Sequence, residues 1–172
     1  MKMRTAILIA ALVAVCNIGL AADPAQGTPL TVSVDKKPAL VMTLPDKWTS
    51  KDSEEKTILI PEKKYPHIQL WNVKDAKSVE DARSKVADII KSEVTEFKVK
   101  ESKDVTVAGS TGCDIVGTGA EADDGDHSNA EVFLFAVTGK VFVLCVHGEG
   151  DEAAKQKSNV MQILGTVKPA GK

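Results

Sequence analysis

Aromatic side chains are scarce in this sequence of 172 residues, since Phe, Trp and Tyr together make up 4% of it. So few rings cannot supply a stacking surface for bases or sugars beside an ordinary core. An excess of one charge is missing as well, because 22 Lys and Arg residues oppose 24 Asp and Glu residues. A net charge of −2 gives no support to bulk nucleic-acid binding. We therefore expect no nucleic-acid partner.

Long apolar runs are also missing, and the longest one, residues 6–15, lies near the N-terminus behind two basic residues. It is too short to span a membrane, which takes about 20 residues. A basic start, a short apolar stretch and small residues before a cleavage point are typical of a secretory signal peptide. We predict that residues 1–21 are removed after Ala21, with an uncleaved anchor as the alternative. The mature chain would then be periplasmic or extracellular, with no transmembrane segment.

Cysteine is rare, with three residues in the chain. Cys16 follows the apolar run and raises the alternative of lipidation, but a bacterial lipobox needs a small residue where Val15 stands. We therefore favour plain cleavage. Cys113 and Cys145 would remain in a compartment that permits disulfides. Their spacing fits neither a zinc ribbon nor a thioredoxin-type site.

The remaining chain is predicted to hold a tether, residues 22–29, and a single domain, residues 30–168. A hairpin is expected at its start, followed by a polar loop over residues 49–56. Ser78 with an acid three residues later predicts a capped helix whose apolar stripe runs to Val94. A second helix is expected over residues 151–164.

Three strands are predicted near the end of the chain, over residues 112–120, 130–138 and 141–147. The last two are apolar on both sides, whereas a strand with one wet face would alternate. Both faces of the sheet should therefore be covered, and the two amphipathic helices are the natural covers. The sequence predicts an α+β domain, a mostly antiparallel sheet covered by amphipathic helices.

The order of these elements resembles a known family. The resemblance rests on three sequence features: the turn Leu44-Pro45-x-x-Trp48, the helix start Ser78-Val79-Glu80-Asp81, and Val107-Ala108-Gly109 before the three-strand meander. Over nearly all of residues 30–168 the chain resembles the PsbP-like superfamily, which includes DcrB-type bacterial envelope proteins. The family often has Gly where this chain has Lys47. The resemblance implies an α/β/α sandwich, an extracytoplasmic location and an accessory role, and it implies no catalytic residues.

Acidic residues concentrate at one predicted end of the sheet. In a meander, the loop 121–129 and the segment 147–152 lie at the same end. We favour a solvated hairpin loop, since such loops favour Asp and Gly and the spacing is not that of an EF-hand. The alternative is a cation rim that holds Ca²⁺, because crowded carboxylates are relieved by a hard cation. The predicted ligands are Asp123, Asp124, Asp126 and Glu149.

Histidines at strand ends, His67 and His147 among them, and His127 in the loop are expected to be solvated. No other cofactor is expected. No Gly-x-Ser-x-Gly elbow is present. We therefore favour a small non-enzymatic accessory or binding protein with a protein partner in the cell envelope. The alternatives are a hydrolase-type enzyme with an unrecognised site and a cation-binding envelope module.

The predicted register bears on the two remaining cysteines. With Gly139 and Lys140 as the turn, Cys145 faces Leu134, and Cys113 falls opposite roughly Thr138. The cysteines then share a face but lie two strands and about four residues apart, well beyond the roughly 7 Å that a disulfide allows between Cα atoms. We predict two free thiols.

Overall fold

The computed structural model describes residues 27–53, 55–63 and 66–171. The predicted signal peptide, residues 1–21, and Cys16 lie outside the described residues. The strands are β1 Gly27–Val34, β2 Lys37–Pro45, β3 Thr49–Ser53, β4 Lys56–Ile60, β5 His67–Asn72, β6 Val94–Val107, β7 Ser110–Glu121, β8 His127–Val137, β9 Lys140–Gly148 and β10 Lys168–Pro169. The helices are α1 Val79–Ser84, α2 Val86–Ile90 and α3 Glu152–Gly165. None of the helices in these ranges is long and apolar enough to cross a membrane.

Two sheets form the domain. The larger one has the order β3-β4-β5-β9-β8-β7-β6, and every neighbouring pair in it is antiparallel. The smaller one has the order β1-β2-β10. The predicted α+β class with a mostly antiparallel sheet is confirmed, as is the meander of β7, β8 and β9.

Apolar residues cover both faces of the large sheet, which explains why β9 is buried along nearly its whole length. On one face, Phe133 and Phe142 pack with the small sheet and α3. On the other face, Val132 and Cys145 pack with the buried residues of α1 and α2. A strand between two cores has no solvent-exposed face, so apolar and polar residues do not alternate along its sequence.

The N-terminal half departs from the sequence prediction in three places. Strand β1 begins at Gly27, inside the segment 22–29 predicted as a tether, because Gly27 pairs with Pro45. The predicted polar loop 49–56 contains β3, which pairs with β4. The predicted helix ending at Val94 is two short helices, and Val94 instead opens β6 by pairing with Glu121.

The start of that helical region is as predicted. Ser78 caps α1, and its Oγ accepts a hydrogen bond from the amide of Asp81 at 3.1 Å. The helix stops at Lys85, whose φ of −118° is not helical. Residues within one turn therefore determine where α1 begins. The sequence pattern did not predict where it ends.

The β8–β9 turn is one residue away from its predicted place. Val137 pairs with Lys140, so the turn is Thr138-Gly139, with φ values of 50° and 77°. Two positive φ values define a type I′ turn, which matches the twist of the flanking strands. The prediction had required Gly in the first central position, and the structure has it in the second.

This register places the two cysteines closer together than predicted. Cys113 lies opposite Leu134, and Cys145 lies opposite Val132, so the predicted partners were wrong. Both cysteines belong to the core under α1 and α2, on one face as predicted. They are two strands and two residues apart, about 12 Å. Both are free and buried.

The two outer strands of the large sheet are polar. All five side chains of β3 are exposed. Strand β6 carries exposed lysines and two irregularities in its register with β7, between Thr95 and Lys98 and between Val99 and Glu101.

Candidate functional site

The four residues predicted for the cation rim lie at one end of the large sheet. Asp123, Asp124 and Asp126 occupy the turn between β7 and β8, and Glu149 follows β9. The pairs Ala120–His127 and Asn129–Gly148 bring the turn and Glu149 to the same end.

All four rim carboxylates are exposed. The Oδ1 of Asp124 accepts a hydrogen bond from the amide of Asp126 at 2.9 Å, which is how aspartate stabilises a turn. Among the described residues, no group of three or more His, Cys, Asp or Glu side chains is arranged to hold a metal ion. The calcium rim therefore stays a prediction.

Beneath the rim lies a buried polar group that the sequence analysis missed, which we call the His147 cluster. The side chains at its centre are only slightly exposed: His147 5%, Glu93 10% and Glu121 11%. The other members contact these carboxylates from neighbouring strands. The cluster consists of Lys56, Gln69, Glu93, Glu121, Ser128 and His147.

His147 stands between two carboxylates. Its Nδ1 lies 2.7 Å from Oε2 of Glu121, and its Nε2 lies 3.6 Å from Oε2 of Glu93. The second distance is longer than a hydrogen bond. The buried Nε2 has no hydrogen-bond partner in the part of the chain that the structure describes. The prediction that His147 is solvated was wrong.

Glu93 also contacts two groups on its other side. Lys56 forms an ion pair with it, and Gln69 Nε2 donates to it. Burial alone would raise the pKa of Glu93, but His147 and Lys56 outweigh that effect and lower the pKa from 4.5 to about 2. The carboxylate is therefore held charged. The ammonium of Lys56 also lies 4.8 Å from the centre of the Trp71 ring, a cation–π distance.

The cluster does not present an activated hydroxyl. Ser128 Oγ donates to Oε1 of Glu121 at 2.6 Å, and the ring nitrogen of His147 that would serve as a base faces Glu93. A nucleophilic serine needs its hydroxyl at the base. The arrangement instead keeps the charged carboxylate of Glu93 in a buried site.

Sequence position could have revealed His147, but not its partners. His147 is two residues beyond Cys145 on the same face of β9, the face that packs under α1 and α2. Glu93 falls within the stretch that the sequence predicted as one helix running to Val94. Only the pairing of β6 with β7 brings it beside Glu121. His67, expected at the surface, is exposed but stacks its ring on His147 with centroids 5.2 Å apart.

A second buried charged group lies under α3, and we call it the Lys157 cluster. It consists of Asp114, Glu131 and Lys157. Lys157 Nζ lies 3.0 Å from Oδ2 of Asp114 and forms an ion pair with Glu131. Burial raises the pKa of Glu131, and Lys157 opposes that change. The Oδ1 of Asp114 is buried without a hydrogen-bond partner in the described ranges.

Two clefts meet at Trp71. The first, of about 420 Å³, lies between the end of β1 and the strands β4 and β5. The second, of about 390 Å³, lies between the end of β5 and the helices α1 and α2. Four residues line both clefts: Glu55, Trp71, Asn72 and Lys74. Trp71 is partly buried and lines both clefts.

The sequence matches no protein-family model and no curated protein. Solved structures do resemble the chain. The solution structure of cyanobacterial PsbP (CyanoP) from Synechocystis sp. PCC 6803 matches with a TM-score of 0.56 and 10% identity, over 87% of this chain and 98% of that one. LpqN, described as involved in cell envelope biogenesis of Mycobacterium tuberculosis, matches with a TM-score of 0.51 and 14% identity, over 84% and 91%.

A crystal structure from Bacteroides thetaiotaomicron VPI-5482 matches with a TM-score of 0.57 and 14% identity, over 86% of this chain. The chain spans 50% of the length of that structure. Identities this low establish likeness of fold alone. The resemblance to the PsbP-like superfamily is confirmed at that level.

Proposed function

We propose that this chain is a non-enzymatic accessory protein of the cell envelope that binds a protein partner. The proposal includes removal of residues 1–21 and residence in the periplasm or outside the cell. It also includes the finer fold assignment, an α/β/α sandwich of the PsbP-like type. The similarity to CyanoP and LpqN supports it, although a shared fold does not by itself imply a shared function.

The observation that carries the proposal is the position of Trp71 between two clefts. A partly buried aromatic ring in a concave surface is a common anchor of binding interfaces. Lys56 and Lys74, with Glu55, give the clefts a charged border around that ring. Such a surface suits a partner that places an apolar side chain against Trp71 and polar groups around it.

The test is photo-crosslinking in the native host. A photoreactive phenylalanine analogue replaces Lys74 in the shared wall of the clefts. The matched control carries the analogue at Met161, which lies on α3 and is 38% exposed. We expect the protein in the envelope fraction, and one discrete adduct from position 74 that position 161 does not give.

Trp71→Ala in the Lys74 variant should remove the adduct while the protein remains folded by circular dichroism. A cytoplasmic location would contradict the envelope assignment. Identical adducts from both positions, or none from position 74, would contradict binding at the clefts.

The shared location of the rim carboxylates supports a second candidate function, a cation-binding envelope module. Binding to the native state must raise the melting temperature. This function requires a saturable rise with calcium that Asp123→Asn with Asp126→Asn removes. An unchanged melting temperature at millimolar calcium would leave the rim as a solvated turn.

A further inference from the structure

We propose that the protein partner binds as an extended segment, which adds a strand to the free edge of β1 and places alternate side chains in the first cleft. This inference rests on the function proposed above, since it specifies how the partner occupies that cleft. The free edge is the side of β1 that faces away from β2. Among the described strands, β2 is the single neighbour of β1 in the small sheet.

The contacts of β2 determine which backbone groups of β1 point to the free edge. The amide of Thr43 donates to Oγ1 of Thr166, just before β10, at 2.8 Å. In an antiparallel pair, opposite residues either exchange both backbone hydrogen bonds or direct those groups away from each other. Pro29 lies opposite Thr43, and Thr31 lies opposite Val41, which itself pairs with β10. Pro29 and Thr31 therefore direct their backbone groups to the free edge.

Ser33 continues this alternation. The irregularity between Val32 and Ser33 places the extra residue, Ala39, on β2, so the pattern along β1 is not interrupted. In the described ranges, no backbone hydrogen bond joins β1 to a segment other than β2. Pro29 has no N–H to offer. The free edge therefore presents the amides of Thr31 and Ser33, together with their carbonyl groups.

The first cleft lies beside this edge. Val32, Ser33 and Val34 line it, and so do Thr57 and Leu70 of the large sheet. Val32 and Val34 are buried, and paired residues of neighbouring strands share a face. An added strand would therefore direct the side chains opposite these two valines towards the cleft. In β-strand addition, backbone hydrogen bonds supply affinity and pockets for alternate side chains supply specificity.

The charges around the cleft indicate which side chains the segment carries. Each acidic side chain that lines the cleft already contacts a polar group. The contacts are Asp35 with Lys140, Asp52 with Thr57, and Glu55 with Lys74. Lys36 is exposed and forms no ion pair within the described residues. Neutral side chains in the cleft and one acidic side chain near Lys36 complement these charges.

A second copy of this chain would not fill the cleft. If two β1 strands paired, Val32 and Val34 of the second copy would already belong to that copy's own core. The other outer strands are also less suited to an added strand. Strand β3 is exposed along its whole length and β6 carries lysines, whereas β1 has no charged residue. Charges on an outer strand discourage pairing, so β1 is the edge that suits a segment of another protein.

The first test uses the photoreactive analogue at position 74 in the native host. Thr31→Pro removes an amide that has no partner in the described residues, and Leu30 already lies in a strand, as a residue before proline requires. We expect Thr31→Pro to lower the adduct yield about tenfold, and the matched control Thr31→Ala, which keeps the amide, to change it less than about twofold.

The outcomes separate the two proposals. No adduct from position 74 in the protein with an unaltered β1 would contradict binding at the clefts, and strand addition with it. An adduct that persists in folded Thr31→Pro would overturn strand addition alone.

Hydrogen exchange tests the strand directly. The probe is a synthetic peptide of the partner segment that mass spectrometry identifies in the position-74 adduct. On binding, the amides of Thr31 and Ser33 should exchange about tenfold more slowly, whereas Lys51 in β3 and Met161 in α3 should not change. Bound peptide without protection of Thr31 and Ser33 would contradict the proposal. Protection that rises with protein concentration in the absence of peptide would show a second copy at the edge and overturn it. Should Thr31→Pro not fold, this measurement on the unaltered chain decides.

Discussion

The ammonium nitrogen of Lys157 lies 3.0 Å from Oδ2 of Asp114, a carboxylate that is only 1% exposed. The same lysine pairs with Glu131, which is 5% exposed. Helix α3 therefore docks on the large sheet through an ionic contact as well as through its apolar residues, Val160, Ile163 and Leu164 among them.

Replacing Lys157 by Met should destabilise the domain by about 2 to 4 kcal/mol. The substitution preserves the side-chain stem but leaves the buried carboxylate of Glu131 without its cation and that of Asp114 with Lys103 alone, at 3.4 Å. Removing one partner is the costly way to break a buried pair. Urea unfolding should show a lower midpoint with an unchanged slope. Lys155→Met on the exposed side of α3 is the control and should leave the midpoint nearly unchanged. Equal effects of the two substitutions would mean that the Lys157 cluster does not hold α3.

Acid should destabilise the protein in part through Glu93. Its pKa falls from 4.5 to about 2 on folding, so its contribution is complete above pH 4.5 and is lost as the pH falls towards 2. The lowering corresponds to at most about 3 kcal/mol, and we expect about 2 because the site is partly screened by solvent. Stability measured by urea unfolding between pH 2 and 5 should therefore vary less in Glu93→Gln than in wild type. Glu80→Gln, on the exposed side of α1, should follow wild type.

Once residues 1–21 are removed, as we propose, both remaining thiols should be free and unreactive in the native state. Cys113 and Cys145 are buried, and burial raises the pKa of Cys145, which suppresses its thiolate. A thiol reagent should label neither thiol in native buffer. It should label both thiols of each chain after denaturation without reductant. Finding no thiols after denaturation would mean that the strand register is wrong, because about 12 Å separates the two positions in it.

Replacing Ser78 by Ala should cost about 1 kcal/mol, because the side chain caps α1 through the amide of Asp81. Urea unfolding measures the change. Ser84→Ala is the matched control, since Ser84 is exposed and only bonds back to the carbonyl of Asp81 within the same helix. Restoring an acceptor with Ser78→Asp should recover most of the loss. No difference between the two alanine variants would contradict the capping role.

The sequence carried enough information for the local elements. Ser78 capped a helix as predicted because capping depends on residues within one turn. The strands β8 and β9 were predicted from continuous apolar runs, since burial on both faces leaves a pattern in a single segment. The three-strand meander followed from short connections, and with it the shared end of the rim residues.

What the sequence could not supply was decided by pairing between distant segments. Val94 continued the apolar stripe of a helix, yet it pairs with Glu121 across the sheet, and this tertiary contact overrides the periodicity. That pairing also brings Glu93 to His147, a relation between residues 54 positions apart that no local pattern shows. At the β8–β9 turn, Thr138 adopts a positive φ that is uncommon for a β-branched residue, so residue preference pointed to the wrong turn.

The polar character of β3 and β6 determines how the molecule behaves among its own copies. An outer strand offers unpaired amides and carbonyls on which a neighbouring chain can align and extend the sheet. In β3 such an addition would find only five residues with hydrophilic side chains, and in β6 it would meet Lys98, Lys100 and Lys103 on a strand with two register irregularities. Edge lysines and interruptions of regular pairing are devices by which natural sheets discourage fibrillar growth. The domain thus carries its own protection against templated aggregation, in a chain whose central strands β8 and β9 would be hazardous if uncovered.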